Sequence, residues 1–148
     1  LGRIRVQRRM RTLALDIGEV RTGIAVSDIQ GAVASPVCVL PTPEVVAFAK
    51  SFQRVLEDLE PDQLLFGLPL SLDGTEGPQA VRIRQMAQDI QGQCGLPAAF
   101  ADERLSSKEA KRELRQMGYD ERHMRGKVDM VAAAIFLQTW LDAHRGQS

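Results

Sequence analysis

The chain reads as an α/β protein: a mixed five-stranded sheet, three antiparallel strands and then parallel strands, with helices on both faces. Three observations predict this. The first forty residues hold three apolar runs separated by short turns, the pattern of an antiparallel meander. After them, helical spacing alternates with short apolar runs, which implies right-handed crossovers into parallel strands. Finally, 148 residues with 44% apolar and 26% charged content suit one domain with a packed core.

Taken in order, the first strand runs Thr12 to Ile17 and carries one acid, Asp16, near its end. Gly18 to Val20 form a short connection, and Gly23 to Val26 make a second strand ending at Asp28. Ala32 to Leu40 is a third, and Pro36 within it marks an edge or irregular strand. Val45, Phe48, Ala49, Phe52, Val55, Leu56 and Leu59 repeat at three and four, predicting one helix closed by Pro61. Leu64 to Gly67 reads as a buried parallel strand leading to Pro69, with a turn-rich loop at Ser71 to Pro78. Ile83, Met86, Ala87, Ile90 and Cys94 define a second helix, closed by Gly95 and Pro97, and Ala98 to Ala101 a fifth strand running into Asp102-Glu103. Ser106 and Glu109 have the spacing of a capping box, with Ala110, Leu114 and Met117 on the buried face and Gly118 at the end. A polar stretch, Tyr119 to Lys127, precedes a strongly apolar helix from Val128 to about Ala143.

Charge is unevenly placed. The formal net charge is zero, yet residues 1–11 hold Arg3, Arg5, Arg8, Arg9 and Arg11 and no acid. Residues 1–11 are therefore read as a basic, disordered extension, with Met10 as a candidate natural start and a nucleic-acid-touching arm as the other reading. Residues 12–145 are read as the single domain. Cys38 and Cys94 show neither CxxC nor Cys/His spacing and are expected to be buried thiols in a reducing cytoplasm. No apolar run approaches the ~20 residues of a membrane span, and no secretory signal is visible.

An acid in an apolar strand is costly to bury unless something compensates its charge. Asp16 and Asp102-Glu103 both stand at strand ends, where open α/β sheets place their sites. Asp129 opens the last helix, and the small Ala132 and Ala133 one turn on would let that helix lie close to the sheet. Three carboxylates gathered there would need a shared cation, and oxygen-only ligands favour Mg²⁺ or Mn²⁺ over zinc. Each acid also has a plain reading: Asp16 in a turn, Asp129 favoured by the helix dipole, Asp102-Glu103 paired with Arg104. Arg104, Lys108, Lys111, Arg112 and Arg115 form a basic stripe beside Glu103, followed by Arg122, Arg125 and Lys127. Such a stripe beside an acidic cluster suits a phosphodiester, though Glu109 and Glu113 within it also fit a solvated helix face. With one Trp, one Tyr and five Phe, backbone contacts should outweigh base stacking.

Four stretches, ALDIGEVRTGIAVSD, LLFGLPLSLDGTEG, ADERLSSKEA and VDMVAAAIFLQTWL, resemble the motifs of the YqgF/RuvX family. This is the Holliday-junction-resolvase-like family also described as pre-16S rRNA nucleases, and the likeness runs from about Arg11 to Leu141. The resemblance implies a ribonuclease H-like fold, a cytoplasmic metal-dependent nuclease and a role in maturing the 5′ end of 16S rRNA. By motif, Asp16, Glu103 and Asp129 match the catalytic acids, which would hold one or two Mg²⁺ or Mn²⁺ ions. Arg21, with Arg104, Lys108, Arg112, Arg115, Arg125 and Lys127, would bind substrate, and Gly18, Gly23, Gly67 and Pro69 would form turns near the site. The family's Thr-Lys before the arginine is replaced here by Glu19-Val20, and Thr-Thr after its DER by Ser106-Ser107. Glu19 adds negative charge near the site. His123 is expected to be a solvent-exposed loop residue rather than a base. The expected partner is nucleic acid, RNA ahead of DNA, with no membrane and a homodimer left open. Other readings are a DNA-junction nuclease of the same fold, a non-catalytic RNA-binding regulator, and an actin-like phosphotransferase, for which 148 residues leave no second domain.

Overall fold

The computed structural model describes residues 10–119 and 127–144. Ten elements follow in order: β1 (Thr12–Ile17), β2 (Arg21–Ser27), β3 (Ala34–Pro41), α1 (Thr42–Val46), α2 (Lys50–Leu59), β4 (Gln63–Leu68), α3 (Pro78–Cys94), β5 (Ala98–Asp102), α4 (Lys108–Gln116) and α5 (Val128–His144). The sheet order is β3-β2-β1-β4-β5. β1 pairs antiparallel with β2, and β2 with β3; β1–β4 and β4–β5 are parallel. The mixed sheet expected from the sequence is therefore present, with the parallel strands entered through helices. Arg122, His123 and Arg125, and the extension at residues 1–9, lie outside the described residues.

Strand periodicity sorts the core into two layers, since successive side chains point to opposite faces. Leu13 and Leu15 of β1 join Ile24, Leu64 and Phe66 under α1, α2 and α3, where Val45, Phe52, Ile83 and Ile90 are buried. Ala14, Ala25, Leu65 and Ala101 face the other way, against α4 and α5. That second face is made of small residues, so α5 lies close to the sheet and can be apolar nearly all round. Its one buried polar residue, Gln138, is satisfied: its side-chain oxygen accepts from Ala34 N at 2.8 Å, and its amide donates to the Ala32 carbonyl at 2.9 Å.

Pro36 does sit on an edge strand, since β3 ends the sheet, and the register slips between Ile24 and Ala25 so that Val37 bulges out of the pairing. Four expectations are corrected. The helix expected from Val45 to Leu59 is two helices, because Phe48 adopts a left-handed φ of 53° between them. The apolar repeat continues through the break because Phe48 still packs edge-on against Phe52, ring centroids 5.8 Å apart. The α4 cap is Ser107, not Ser106; its hydroxyl accepts from Ala110 N at 3.1 Å, so no capping box with Glu109 forms. Met117, expected in the buried face, is exposed because α4 stops at Gln116 and Gly118 turns away at φ 93°. Cys38 and Cys94 are free and half-buried rather than buried, and burial pushes the Cys38 thiol upward. At the start of the fold, Arg11 is anchored: its guanidinium donates to the Ser27 and Leu59 carbonyls at 3.1 and 2.9 Å.

Candidate active site

The alternation that buries Leu13 and Leu15 on one face turns Asp16 to the other, beside Ala14 and toward α5. Across the ladder, Asp16 pairs with Gly23. A Cβ on Gly23 would lie 2.0 Å from the Asp129 carbonyl oxygen and 2.7 Å from Met130 N. The missing side chain therefore lets the first turn of α5 press against the β2 backbone, and this seats Asp129 next to Asp16. Of the small pair expected to let the helix lie close, Ala133 is buried and Ala132 half-buried, and Gly23 makes the tightest approach.

Glu103 arrives by similar logic. It follows β5, and its N–H extends the ladder by donating to the Leu68 carbonyl at 3.1 Å. Alternation places Glu103 on the α5 side and Asp102 on the reverse. A Cβ on Gly67 would stand 3.1 Å from the Glu103 Cβ and 3.3 Å from the Phe136 ring. Gly67 thus makes the hollow in which Glu103 sits. Gly23 and Gly67, grouped with the turns near the site though read within strand runs, are strand residues, and both allow close approach. Gly18 is in a turn, donating to the Arg21 carbonyl at 2.9 Å, and Thr42 fixes that turn by donating from its hydroxyl to the Gly18 carbonyl at 2.7 Å.

Asp16, Glu103 and Asp129 line one cleft of about 280 Å³ across the carboxyl ends of β1 and β4, with Gly18, Glu19 and Pro69 on its rim. Burial, then the Glu103 and Asp129 carboxylates, push the Asp16 pKa from 3.8 up to about 6. Burial and the neighbouring Asp102 raise Glu103. Three oxygen-only acids in a half-closed cleft suit a hard divalent cation. Among the described residues, no three acidic, histidine or cysteine side chains stand close enough to grip an ion as they are.

The basic residues divide. Arg104 folds back onto Asp102, its guanidinium donating at 2.8–3.1 Å, and reaches the Ser71 carbonyl at 3.2 Å. The plain reading of Asp102 as an arginine partner is the observed one. Arg21 and Lys127 are exposed, and so are Lys108, Arg112 and Arg115 on α4; none of these five lines the cleft. The sequence reading missed the far wall, where Gln79, Arg82 and Met86 of α3 face the acids. Their spacing of three and four was the available signal, hidden because Gln79 and Arg82 flank the apolar repeat of α3 and Met86, within it, reads as core.

A family model described as RuvX: Holliday junction resolvase matches residues 10–143. The chain belongs to the RuvX family. RuvX relatives carrying the name "Putative pre-16S rRNA nuclease" include one from Anaeromyxobacter sp. (strain K), 42% identical over 90% of this chain and 97% of the relative. Another, from Streptomyces avermitilis, is 37% identical over 93% and 89%. Among solved structures, Thermus thermophilus RuvC in complex with a Holliday junction substrate superposes with a TM-score of 0.58 at 17% identity, covering 93% of this chain and 96% of that one. The fowlpox virus resolvase bound to junction DNA gives 0.57 at 11% identity, covering 92% and 99%. These likenesses establish the fold as ribonuclease H-like. RuvX proteins are thus nucleases by family, hydrolases of phosphodiester bonds. Among the described residues no helix is long and apolar enough to cross a membrane.

Proposed function

We propose that this RuvX protein is a divalent-metal-dependent nuclease that cuts RNA in maturing the 5′ end of 16S rRNA in the cytoplasm. The observation that carries the reading is the convergence of Asp16, Glu103 and Asp129 on one cleft, where burial and then the two neighbouring carboxylates raise the Asp16 pKa to about 6. Such crowding is relieved when a cation shares the carboxylates. Asp16, Glu103 and Asp129 would hold one or two Mg²⁺ or Mn²⁺ ions, which when bound supply charge neutralisation and a more acidic water. The chain does the rest. Gly23 and Gly67 keep two of the acids at fixed depth, and the Thr42-pinned turn holds the rim. Arg21, Lys108, Arg112, Arg115 and Lys127 are exposed cations suited to the phosphate backbone outside the cleft. RNA is preferred because the relatives at 37–42% identity carry an rRNA nuclease name. The family model's own description favours a second reading, DNA junctions.

The test incubates the full chain with a pre-16S RNA fragment and a four-way DNA junction, each with Mg²⁺, Mn²⁺ or EDTA. Metal-dependent cutting of the RNA is expected. Cutting of the junction alone transfers the assignment to DNA, and RNA binding with no cutting under any metal makes the protein a binder.

A further inference from the structure

α3 presents two arginines two residues apart, and they are disposed differently. Arg84 is closed off: Glu76 grips its guanidinium, the second contact being 3.1 Å, and the group stacks over Phe100 at 4.6 Å. Arg82 lies about 200° round the helix from it, on the stripe with Gln79 and Met86 that faces Asp16, Glu103 and Asp129. It is exposed, and it forms no hydrogen bond or ion pair with any described residue. The arginines that serve the fold are closed on partners: Arg84 on Glu76, Arg104 on Asp102, and Arg11 on the Ser27 and Leu59 carbonyls. Arg82 keeps its planar fork of donors open in a cleft of negative side chains. What such a fork fits is an anion that enters the cleft from outside, and a phosphate takes it bidentately.

We propose that Arg82 binds the phosphate at the bond that is cut, from the wall opposite the three carboxylates. This rests on the nuclease reading and adds to it a substrate-contacting residue. The acids, which would hold the cation, lie on one wall, and the Arg82 guanidinium would donate to non-bridging oxygens from the other. Charge grows on those oxygens as the transition state forms, so a donor fixed there contributes to rate as well as to binding.

The test has two arms. Binding of a labelled single-stranded RNA is followed against salt with Ca²⁺ in place of Mg²⁺, and single-turnover cleavage is measured at saturating RNA with Mg²⁺ or Mn²⁺. Arg82→Ala is expected to lower the salt slope by about 0.7, one phosphate contact on a single strand. It should slow cleavage roughly 100-fold, with an unchanged melting temperature. Arg82→Lys should keep the slope, because a point charge remains, while recovering only part of the rate. Arg54→Ala, an exposed charge removed from α2, should leave both unchanged. An unchanged slope, or unchanged cleavage at saturation, in Arg82→Ala overturns the assignment of Arg82 alone. A wild type that cuts neither RNA nor junction DNA ends the nuclease reading and this proposal together.

Discussion

The two ends of the sheet each carry a concavity of similar size. At the carboxyl ends of β1 and β4 lies the acidic cleft, about 280 Å³; at the other end, Phe48, Leu56, Pro61, Cys94 and Leu96 line a shallow groove of about 310 Å³. Volume does not separate them. Both also contain unusual backbone, since the groove is bordered by Phe48 and Glu60 at left-handed φ values of 53° and 46°. The difference lies in what the backbone does. In the cleft, absent side chains at Gly23 and Gly67 draw acids inward until the Asp16 pKa rises to about 6. In the groove, the strained residues only separate α1 from α2, at Phe48, and end α2, at Glu60. A site is therefore marked here by acids buried side by side rather than by the size of a hollow.

Four substitutions or conditions would break or sharpen this contrast. The largest effect is expected at the acids: Asp16→Asn or Asp129→Asn should cut metal-dependent cleavage by roughly 10³-fold or more while cooperative unfolding persists. Full activity in either variant would remove the acids from the chemistry. Next is Gly23→Ala. A methyl group 2.0 Å from the Asp129 carbonyl forces α5 away from β2, so a loss of about 3 kcal/mol or more in urea unfolding is expected, with cleavage lost too. Wild-type stability would show that α5 is free to slide.

The third is a pH dependence. Unfolded, Asp16 titrates near 3.8; folded, near 6. Between about pH 4 and 6 the folded state keeps a proton that the unfolded chain has lost, so metal-free stability should fall as pH rises, by at most about 3 kcal/mol. Asp16→Asn should flatten that slope, and Mg²⁺ or Mn²⁺ should raise the melting temperature more at pH 7 than at pH 5. A metal-free profile that rises through this window would contradict the crowding. The smallest effect belongs to the groove: Glu60→Gly relieves a left-handed backbone and should stabilise by about 0.5–1 kcal/mol without changing cleavage.

Much of this was legible in the residues. The β1 boundaries and the order of the strands follow from apolar periodicity; Asp16, Asp102-Glu103 and Asp129 stand out by their places at strand and helix ends, and the family resemblance picks Glu103 from its pair. What was hidden has physical causes. The break at Phe48 carries no glycine or proline, and the side chain stays in the core, so periodicity runs across it. Ser106 and Ser107 are equally good caps in sequence, and only the geometry of the turn after β5 selects the second. The fate of the arginines was least legible. Arg104 was expected at the substrate but closes on Asp102, and Arg82 was passed over because a charge beside an apolar stripe reads as solvated surface. Which cation finds an acid depends on rotation about a helix and on strand alternation, neither of which composition reveals.

The bulged edge strand has a consequence for self-association. Pro36 has no N–H to offer, and Val37 falls out of step with its neighbours, so the outer border of β3 lacks a regular row of donors and acceptors. The opposite border, β5, is only five residues long. With its donor row broken, the β3 rim is blunted against strand-to-strand growth with a second chain.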